Sequence, residues 1–286
     1  MLVITGATGQ LGQRVIHQLL AKGVAAKDIV AAVRNPAKAA ALAALGVQVR
    51  EADYARPETL SSALLGAERV LLISSSEVGQ RVAQHRAVIQ AAQAAKVQQL
   101  LYTSLLNLEH SPLGLASEHR ATEAMIKDSG LSYGLLRNGW YTENYLVSVP
   151  SALQAGAFIG AAGEGRIASA TRDDYASAAA QLLTLPITDN AVYELAGDSA
   201  YTLAQLVAEV NRQTGAQLSY QNMSQAEFAA ALLSAGLPEP VAQLLADSDA
   251  GAAQGGLFDE GHQLSRLIGR PTTSLAAALR AQLHNS

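Results

Sequence analysis

Cysteine is absent from the sequence, aromatic residues are few, and no long apolar run is present. With no Cys in its 286 residues, the chain has no disulfide, no thiolate nucleophile and no cysteine-bound metal. Its histidines are not spaced as metal ligands, so we predict no metal site. Because no run reaches the roughly 18 apolar residues that cross a bilayer, we predict no membrane-spanning helix.

An excess of basic charge is also missing. The net charge is −4, from 20 Lys and Arg against 24 Asp and Glu, which gives no positive field of the kind that binds nucleic acid. The first residues, Met1–Gly6, read as a strand and a turn rather than as a secretory signal, so we expect a cytoplasmic protein. Hydrophobic residues make up 49% of the chain and many are Ala, which predicts a substantial core of closely packed helices.

Short apolar runs alternate with helix-length segments over the first half of the chain. Continuously apolar strands are typical of a sheet that is covered by helices on both faces, and strand–helix alternation forms right-handed parallel units. We therefore predict an α/β fold with a doubly wound parallel sheet of the Rossmann type. The predicted strands are Leu2–Thr5, Ile29–Val33, Val47–Arg50, Arg69–Ser74, Gln99–Thr103 and Ser132–Leu136, and the predicted helices lie near Leu11–Lys22, Ala37–Leu45, Pro57–Leu65, Gln80–Ala95 and Ser117–Ser129.

The alternation becomes less regular after Leu136, and helical segments dominate towards the end of the chain. We predict a Rossmann core over residues 1–136 and a smaller, mostly helical C-terminal lobe over residues 137–286. Within this lobe the patterns predict a loop at Gly160–Gly165, strands at Arg166–Thr171 and Val192–Ala196, a helix at Asp173–Leu183, and a helix capped by Thr202 that ends near Thr214.

A glycine-rich turn joins the first predicted strand to the first predicted helix. Gly6 permits a tight turn, Gly9 allows a pyrophosphate to approach the backbone, and Gly12 allows the helix to pack on the strand. The amide groups at the helix start then face the phosphates. A structural turn is the alternative, but the position at the first strand–helix connection of a continuing series favours dinucleotide binding.

The end of the second predicted strand lacks the acidic residue that binds the ribose of NAD. Arg34 stands there instead and can pair with a 2′-phosphate, with Lys38 adding a second positive charge. These residues favour NADPH as the cofactor; the alternative is a pair of solvated cations. Asp53, followed by Tyr54, is a candidate acceptor for the adenine amino group or an ordinary turn residue. Ser74, Ser75 and Ser76 are candidates for the cofactor ribose or for a helix cap.

With these residues the chain resembles the NmrA-like group of atypical short-chain dehydrogenases, and within it the quinone-reducing bacterial members. The resemblance covers nearly the whole chain and is carried by Ile4–Gly12, Val33–Lys38, Leu72–Arg81, Tyr102–Leu105, Leu135–Tyr145, Phe158–Thr171, Tyr193–Ser199 and Gly255–Asp259.

The resemblance implies a role for residues in each of these stretches. Gly6, Thr8, Gly9, Gln10, Leu11 and Gly12 would bind the pyrophosphate. Arg34 would bind the 2′-phosphate, and Ser74–Ser76 would line the nicotinamide half. Asn138, Gly139, Trp140 and Tyr141 would lie near the nicotinamide and the substrate, and Asn144 would point toward a quinone.

Ordinary short-chain dehydrogenases act through a Tyr and a Lys four residues later, and this chain has His119 and Glu123 at those places. Ser104 lacks the glycine-flanked turn of a hydrolase nucleophile. We expect an NADPH-dependent quinone reductase in which Tyr141 and Asn144 donate hydrogen bonds to the quinone and water supplies the proton. An NADP(H)-sensing regulator and a reductase of another aromatic electrophile are the alternatives.

Overall fold

The computed structural model describes residues 1–187 and 190–284. The chain divides into two compact units, each built from separate stretches of sequence. Unit 1 consists of Met1–Leu108, Ser117–Asn138 and Arg172–Tyr193, and unit 2 consists of Glu109–Ala116, Gly139–Thr171 and Glu194–Ser286. The predicted division at residue 136 falls near Asn138, where the chain leaves unit 1 for the second time, but the chain re-enters that unit at Arg172.

The described strands and helices follow one another in the order that a doubly wound fold requires. The strands are β1 (Leu2–Thr5), β2 (Ile29–Val33), β3 (Gln48–Glu51), β4 (Arg69–Leu72), β5 (Gln99–Leu105), β6 (Ser132–Asn138), β7 (Ala157–Gly160), β8 (Ala191–Leu195) and β9 (Ser219–Asn222). The helices are α1 (Gln10–Ala21), α2 (Ala40–Ala44), α3 (Pro57–Ala63), α4 (Arg81–Ala94), α5 (Ala116–Asp128), α6 (Thr142–Leu146), α7 (Val149–Ala155), α8 (Arg172–Thr184), α9 (Leu203–Thr214), α10 (Gln225–Ser234), α11 (Glu239–Ala253), α12 (Gln263–Ile268) and α13 (Leu275–His284).

The main sheet has the strand order β3-β2-β1-β4-β5-β6-β8 within the described residues. Every pairing from β3 across to β6 is parallel. The order of its first six strands is that of the Rossmann fold, so the predicted fold class is confirmed. The order in which successive strands are added to the sheet reverses between β1 and β4, and the carboxyl ends of these two parallel strands are where such folds bind ligands.

Burial follows the apolar pattern of the sequence. All five residues of β2 and all seven of β5 are buried, as expected for strands covered on both faces. Helix α1 turns Leu11, Val15, Ile16 and Leu19 inward, the spacing of one face of a helix. Strand β4 is shorter than predicted and ends at Leu72, so the serines that follow it lie in a loop.

Helix α8 is part of unit 1 although it follows the first long stretch of unit 2. It packs against α1, and the Arg14 Nε and Asp173 Oδ1 atoms are 3.1 Å apart. The buried Arg69 donates from Nη1 to the carbonyl oxygens of Leu182, Leu183 and Leu185 at 3.1, 3.1 and 2.6 Å. These carbonyls lack partners within a helix, so the guanidinium satisfies them and complements the helix dipole.

Unit 2 contains a small parallel sheet of β7 and β9, which was not predicted from the sequence. Helix α9 begins as predicted, because Thr202 accepts from Gln205 N at 3.2 Å and forms a capping box. The predicted strand Arg166–Thr171 is wrong. Within that segment Ile167 bridges to Tyr201 and Ala170 bridges to Tyr141, so its backbone bonds go to different partners rather than to one ladder.

Within the part of the chain that the structure describes, no helix is both long enough and apolar enough to cross a membrane. Residues 1–187 and 190–284 also contain no group of three or more His, Asp or Glu side chains arranged to hold a metal ion.

Candidate active site

The glycine-rich turn between β1 and α1 has the geometry that the sequence predicted. Gly6 has a φ of +58°, the left-handed region that glycine adopts most readily. A Cβ at residue 12 would lie 2.6 Å from the Gly6 carbonyl oxygen and 2.7 Å from the Ala7 Cα, so only glycine fits there. Gly9 N donates to Gly6 O at 2.9 Å, which closes the turn.

The start of α1 is open for an anion. Gly9 is the N-cap and gives no side-chain hydrogen bond to the helix, and no acidic residue lies in the first turn. The amide groups of that turn therefore keep the positive end of the helix dipole uncompensated. Gly6, Gly9 and Gln10 are exposed, Thr8 is half-buried and Leu11 is buried.

The two cations after β2 are both exposed. Arg34 Nη1 lies 2.7 Å from Glu77 Oε1, and Glu77 Oε2 accepts from Gln84 Nε2 at 2.7 Å. Lys38 has no ion-pair or hydrogen-bond partner among the residues that the structure describes. Asn35 caps the short helical turn between them, accepting from Ala37 N at 3.0 Å.

Asp53 and Tyr54 make local contacts after β3. Asp53 accepts from Ala55 N at 3.0 Å, an Asx turn, and lies 3.4 Å from Arg56 Nε. The Tyr54 hydroxyl lies 2.5 Å from Thr5 Oγ1 and 3.1 Å from the Ile73 carbonyl oxygen, and burial raises the pKa of Tyr54. The Tyr54 hydroxyl therefore links the ends of β1 and β4 by hydrogen bonds. A contact between Tyr54 and a cofactor would be made by its ring.

The loop Ser74–Ser76 after β4 is positioned by hydrogen bonds to buried side chains. Ser74 N donates to Thr103 Oγ1 and Ser75 N donates to His85 Nε2, both at 2.9 Å. Because Nε2 accepts, a neutral His85 carries its proton on Nδ1, which lies 3.0 Å from Thr122 Oγ1. Burial first, and the charge of Arg81 second, lower the pKa of His85 to about 3. Ser76 is exposed.

Asn138 ends β6 and is buried. Its backbone oxygen accepts from Leu106 N at 3.0 Å. Its side-chain Oδ1 is one of three buried side-chain acceptors that lack a hydrogen-bond partner among the described residues. A buried acceptor without a partner costs free energy, so an additional donor from a bound molecule would satisfy it.

The predicted substrate-side residues lie in unit 2. Gly139 N donates to Leu195 O at 2.8 Å, and Trp140 O accepts from Ala170 N at 3.2 Å. Tyr141 is the N-cap of α6, and its carbonyl oxygen accepts from Asn144 N at 3.0 Å. Trp140 is buried, whereas Tyr141 and Asn144 are half-buried. These bonds position the segment from both sides and leave part of Tyr141 and Asn144 exposed.

His119 and Glu123, at the places of the usual Tyr and Lys, are both buried in α5. His119 Nδ1 lies 2.6 Å from the Tyr102 hydroxyl, and burial, more than the charges of Arg81 and His85, lowers the pKa of His119 to about 3. The imidazole is therefore neutral near pH 7 and is a poor proton donor.

Glu123 is occupied by structural partners. Its Oε1 accepts from Ser104 Oγ at 2.7 Å and from Arg137 Nε at 2.9 Å, and its Oε2 lies 2.7 Å from Arg137 Nη2. Lys127 Nζ adds a contact at 3.3 Å. A carboxylate with this many donors is not available as a base. These partners were not predicted from the sequence, where the signal was the polar residues Ser104 and Arg137 near the ends of the largely apolar strands β5 and β6.

The fold and the glycine-rich turn define a class of protein, and comparison with known sequences agrees. A family described as NAD(P)H-binding matches residues 6–186, and the chain belongs to that family. Over 279 residues the chain is 62% identical to Quinone oxidoreductase 2 of Escherichia coli (strain K12), covering 98% of this chain and 97% of that one. The predicted resemblance is thereby confirmed.

Solved structures extend this similarity. The crystal structure of an NADPH-dependent quinone oxidoreductase from E. coli, complexed with NADPH, matches with a TM-score of 0.96 at 61% identity, covering 99% of this chain and 100% of that one. The Citrobacter sp. triphenylmethane reductase complexed with NADP(H) matches with a TM-score of 0.95 at 35% identity and the same coverage.

Proposed function

We propose that this chain is an NADPH-dependent quinone reductase. The observation that carries the proposal is the full-length similarity to Quinone oxidoreductase 2 of E. coli, at 62% identity over 98% of this chain. The site agrees with it, because the groups at the usual acid–base positions are a neutral His119 and a Glu123 occupied by Ser104 and Arg137. Such a site suits a reduction that needs no strong protein acid.

The residues of unit 1 fit NADPH. The turn at Gly6 and Gly9 and the uncapped start of α1 provide backbone amides for the pyrophosphate. In this proposal the exposed cations Arg34 and Lys38 bind the 2′-phosphate, and the orphan Oδ1 of Asn138 accepts from a donor on the bound cofactor. When bound, NADPH supplies the hydride that the quinone receives directly.

The substrate-side residues orient the quinone and stabilise its reduced form. A quinone that gains a hydride becomes a hydroquinone anion, whose charge is delocalised and whose oxygen has a pKa near that of a phenol, about 10. Water can protonate such an oxygen, so Tyr141 and Asn144 need only donate hydrogen bonds to it. Trp140 adds an aromatic surface for a flat substrate.

The central experiment measures NADPH consumption with a panel of quinones, with NADH and a triphenylmethane dye as comparisons. We expect turnover with a small quinone. In the same assay Asn144→Ala should lower kcat by about 10²-fold, the low end for a donor to a developing oxyanion. His119→Ala should keep most of its turnover, because its imidazole is neutral. Tight NADPH binding without turnover would indicate an NADP(H) sensor instead.

Cofactor preference is tested at Arg34. Arg34→Ala should weaken NADPH binding by about tenfold to a hundredfold, the value of one charge-assisted contact, and should leave NADH binding unchanged. The control is Arg86→Ala, which removes an exposed guanidinium from α4. Equal losses for NADPH and NADH would contradict the 2′-phosphate assignment.

A further inference from the structure

Unit 2 contains a buried carboxylate that the proposed reaction does not use. Asp249 lies in α11 and is 4% exposed. Its Oδ1 accepts from the Tyr145 hydroxyl at 3.0 Å, and its Oδ2 accepts from Ala161 N at 2.9 Å. Among residues 1–187 and 190–284 no cation forms an ion pair with it. A charge buried without a counter-charge is costly, which makes a purely incidental placement unfavourable.

This carboxylate connects three separate elements of unit 2. Tyr145 belongs to α6, Ala161 follows β7, and Asp249 itself belongs to α11. The space around it is shaped for it, because a Cβ at Gly160 would lie 2.8 Å from Asp249 Oδ2. The position of Tyr145 is therefore set by a contact 104 residues away in the sequence.

Helix α6 needs such a contact. It has only five residues, and a helix this short is not stable without tertiary contacts. Asn144 lies on it, and Tyr141 is its N-cap. Movement of Tyr145 would therefore displace both proposed substrate-side donors.

We propose that Asp249 is a positioning residue: through its hydrogen bonds to Tyr145 and Ala161 it sets the orientation of α6 and of the segment Trp140–Asn144. The effect of Asp249 on quinone reduction rests on the proposed function. Its effect on the conformation of Trp140–Asn144 does not depend on that function.

The electrostatic surroundings of Asp249 make the contact sensitive to pH. Burial raises the pKa of Asp249 to about 6, against smaller lowering by the bonds from Ala161 and Tyr145. Among the described residues, the other titratable groups that act on this cluster are Tyr201 and Tyr220, with Glu143 beyond Tyr201 and Glu164 beyond Tyr220. The phenols stay neutral near pH 7, because burial raises the pKa of each. Loss of the Asp249 charge turns a charge-assisted bond from Tyr145 into an ordinary, weaker one.

The sequence provides its own probe, since Trp140 is the single Trp of the chain. We expect the emission of Trp140 to titrate in the wild-type protein with a midpoint near pH 6, the value for Asp249. Asp249→Asn should abolish this transition, and Tyr145→Phe should reduce its amplitude. The control is Asp247→Asn, because Asp247 lies on the same helix and accepts from Gly114 N at 2.7 Å. In this control variant the emission of Trp140 should depend on pH as it does in the wild type.

Kinetics then test the link to the substrate. In Asp249→Asn, with folding confirmed by circular dichroism, kcat/KM for a small quinone should fall about tenfold, less than the roughly hundredfold cost of a 1 Å misplacement of substrate-orienting groups. The Kd of NADPH should change less than about twofold, and Asn144→Ala should cost less in the Asp249→Asn background than in the wild type.

The outcomes of these experiments distinguish failure of the positioning role of Asp249 from failure of the proposed function. A Trp140 emission that titrates identically in the wild type and in both variants would overturn the positioning role, as would equal losses of NADPH and quinone binding. If Asp249→Asn does not fold, Tyr145→Phe alone carries the test, because it keeps the carboxylate. A wild type without quinone turnover contradicts the proposed function, and the Trp140 titration still tests the positioning role.

Discussion

Glu123 in unit 1 and Asp249 in unit 2 are both buried carboxylates, but their partners differ. Glu123 contacts the guanidinium of Arg137 through both oxygens, at 2.9 and 2.7 Å. Among residues 1–187 and 190–284, the donors to Asp249 are a phenol and a backbone amide. Its pKa is raised by burial to about 6. A buried carboxylate with a cation is therefore a structural element, whereas one with neutral donors can titrate in the physiological range.

Removing the charge of Glu123 should have the largest effect on stability. Glu123→Gln takes away the carboxylate that neutralises a buried guanidinium, and we expect the free energy of unfolding to fall by about 3 to 5 kcal/mol. Urea denaturation measures it. Lys127→Gln is the control, because Lys127 is 41% exposed and its contact with Glu123 should contribute less than about 1 kcal/mol. A small loss in Glu123→Gln would mean that the two carboxylates do not differ as proposed.

The buried base His85 extends the comparison, because its contribution to stability should depend on pH in the direction opposite to that of Asp249. The pKa of His85 is about 3 in the folded state, below its ordinary value of 6.5, so its contribution to stability is present above pH 6.5 and is lost as the pH falls toward 3. At about pH 5 the loss is about 2 kcal/mol. His85→Gln should lose correspondingly less stability between about pH 7.5 and pH 5 in urea denaturation. An equal loss in both proteins would show that protonation of His85 is not linked to unfolding.

Asp249 should act in the other direction. Its pKa is raised from 3.8 to about 6, so its contribution is fully present below pH 3.8 and is lost as the pH rises through 6. Relative to the wild type, Asp249→Asn should become less stable by about 1 kcal/mol when the pH is lowered from about 7.5 to about 5. If the stability of Asp249→Asn and that of the wild type changed equally with pH, the proposed difference between Asp249 and Glu123 would be contradicted.

The Arg34–Glu77 pair should give the smallest change, because these side chains are 71% and 46% exposed. Glu77→Gln should alter stability by less than about 1 kcal/mol. It should also tighten NADPH binding by about threefold, since the 2′-phosphate no longer shares Arg34 with a carboxylate. Calorimetric titration measures this. A loss of NADPH affinity would indicate that Glu77 orients Arg34 rather than competing for it.

Features that depend on local chemistry could be predicted from the sequence. Gly6 and Gly12 are required by a positive φ and by a close approach within seven residues of chain, and Thr202 caps the helix that it precedes. The apolar strand β2 was also predicted, because a strand covered on both faces is apolar throughout.

Features that depend on partners distant in the sequence could not be predicted from it. Strand β9 is mostly exposed and polar, so it exists because it pairs with β7 and not because of its own pattern. The segment Arg166–Thr171 is apolar enough to suggest a strand, but its backbone groups bond to several other segments. The Asp249–Tyr145 contact joins two polar residues for which the sequence contains no local signal.

The return of α8 to unit 1 has a consequence for synthesis of the protein. Unit 1 includes Arg172–Tyr193, so its helix layer is incomplete when Asn138 leaves the ribosome. Until α8 is made, the face of α1 that it covers stays in water and the buried guanidinium of Arg69 lacks the carbonyls it binds. Folding of the nascent Rossmann sheet is therefore complete only after residues 139–171 of unit 2 and helix α8 have been translated, and a fragment that ends at Asn138 should depend on chaperones rather than fold alone.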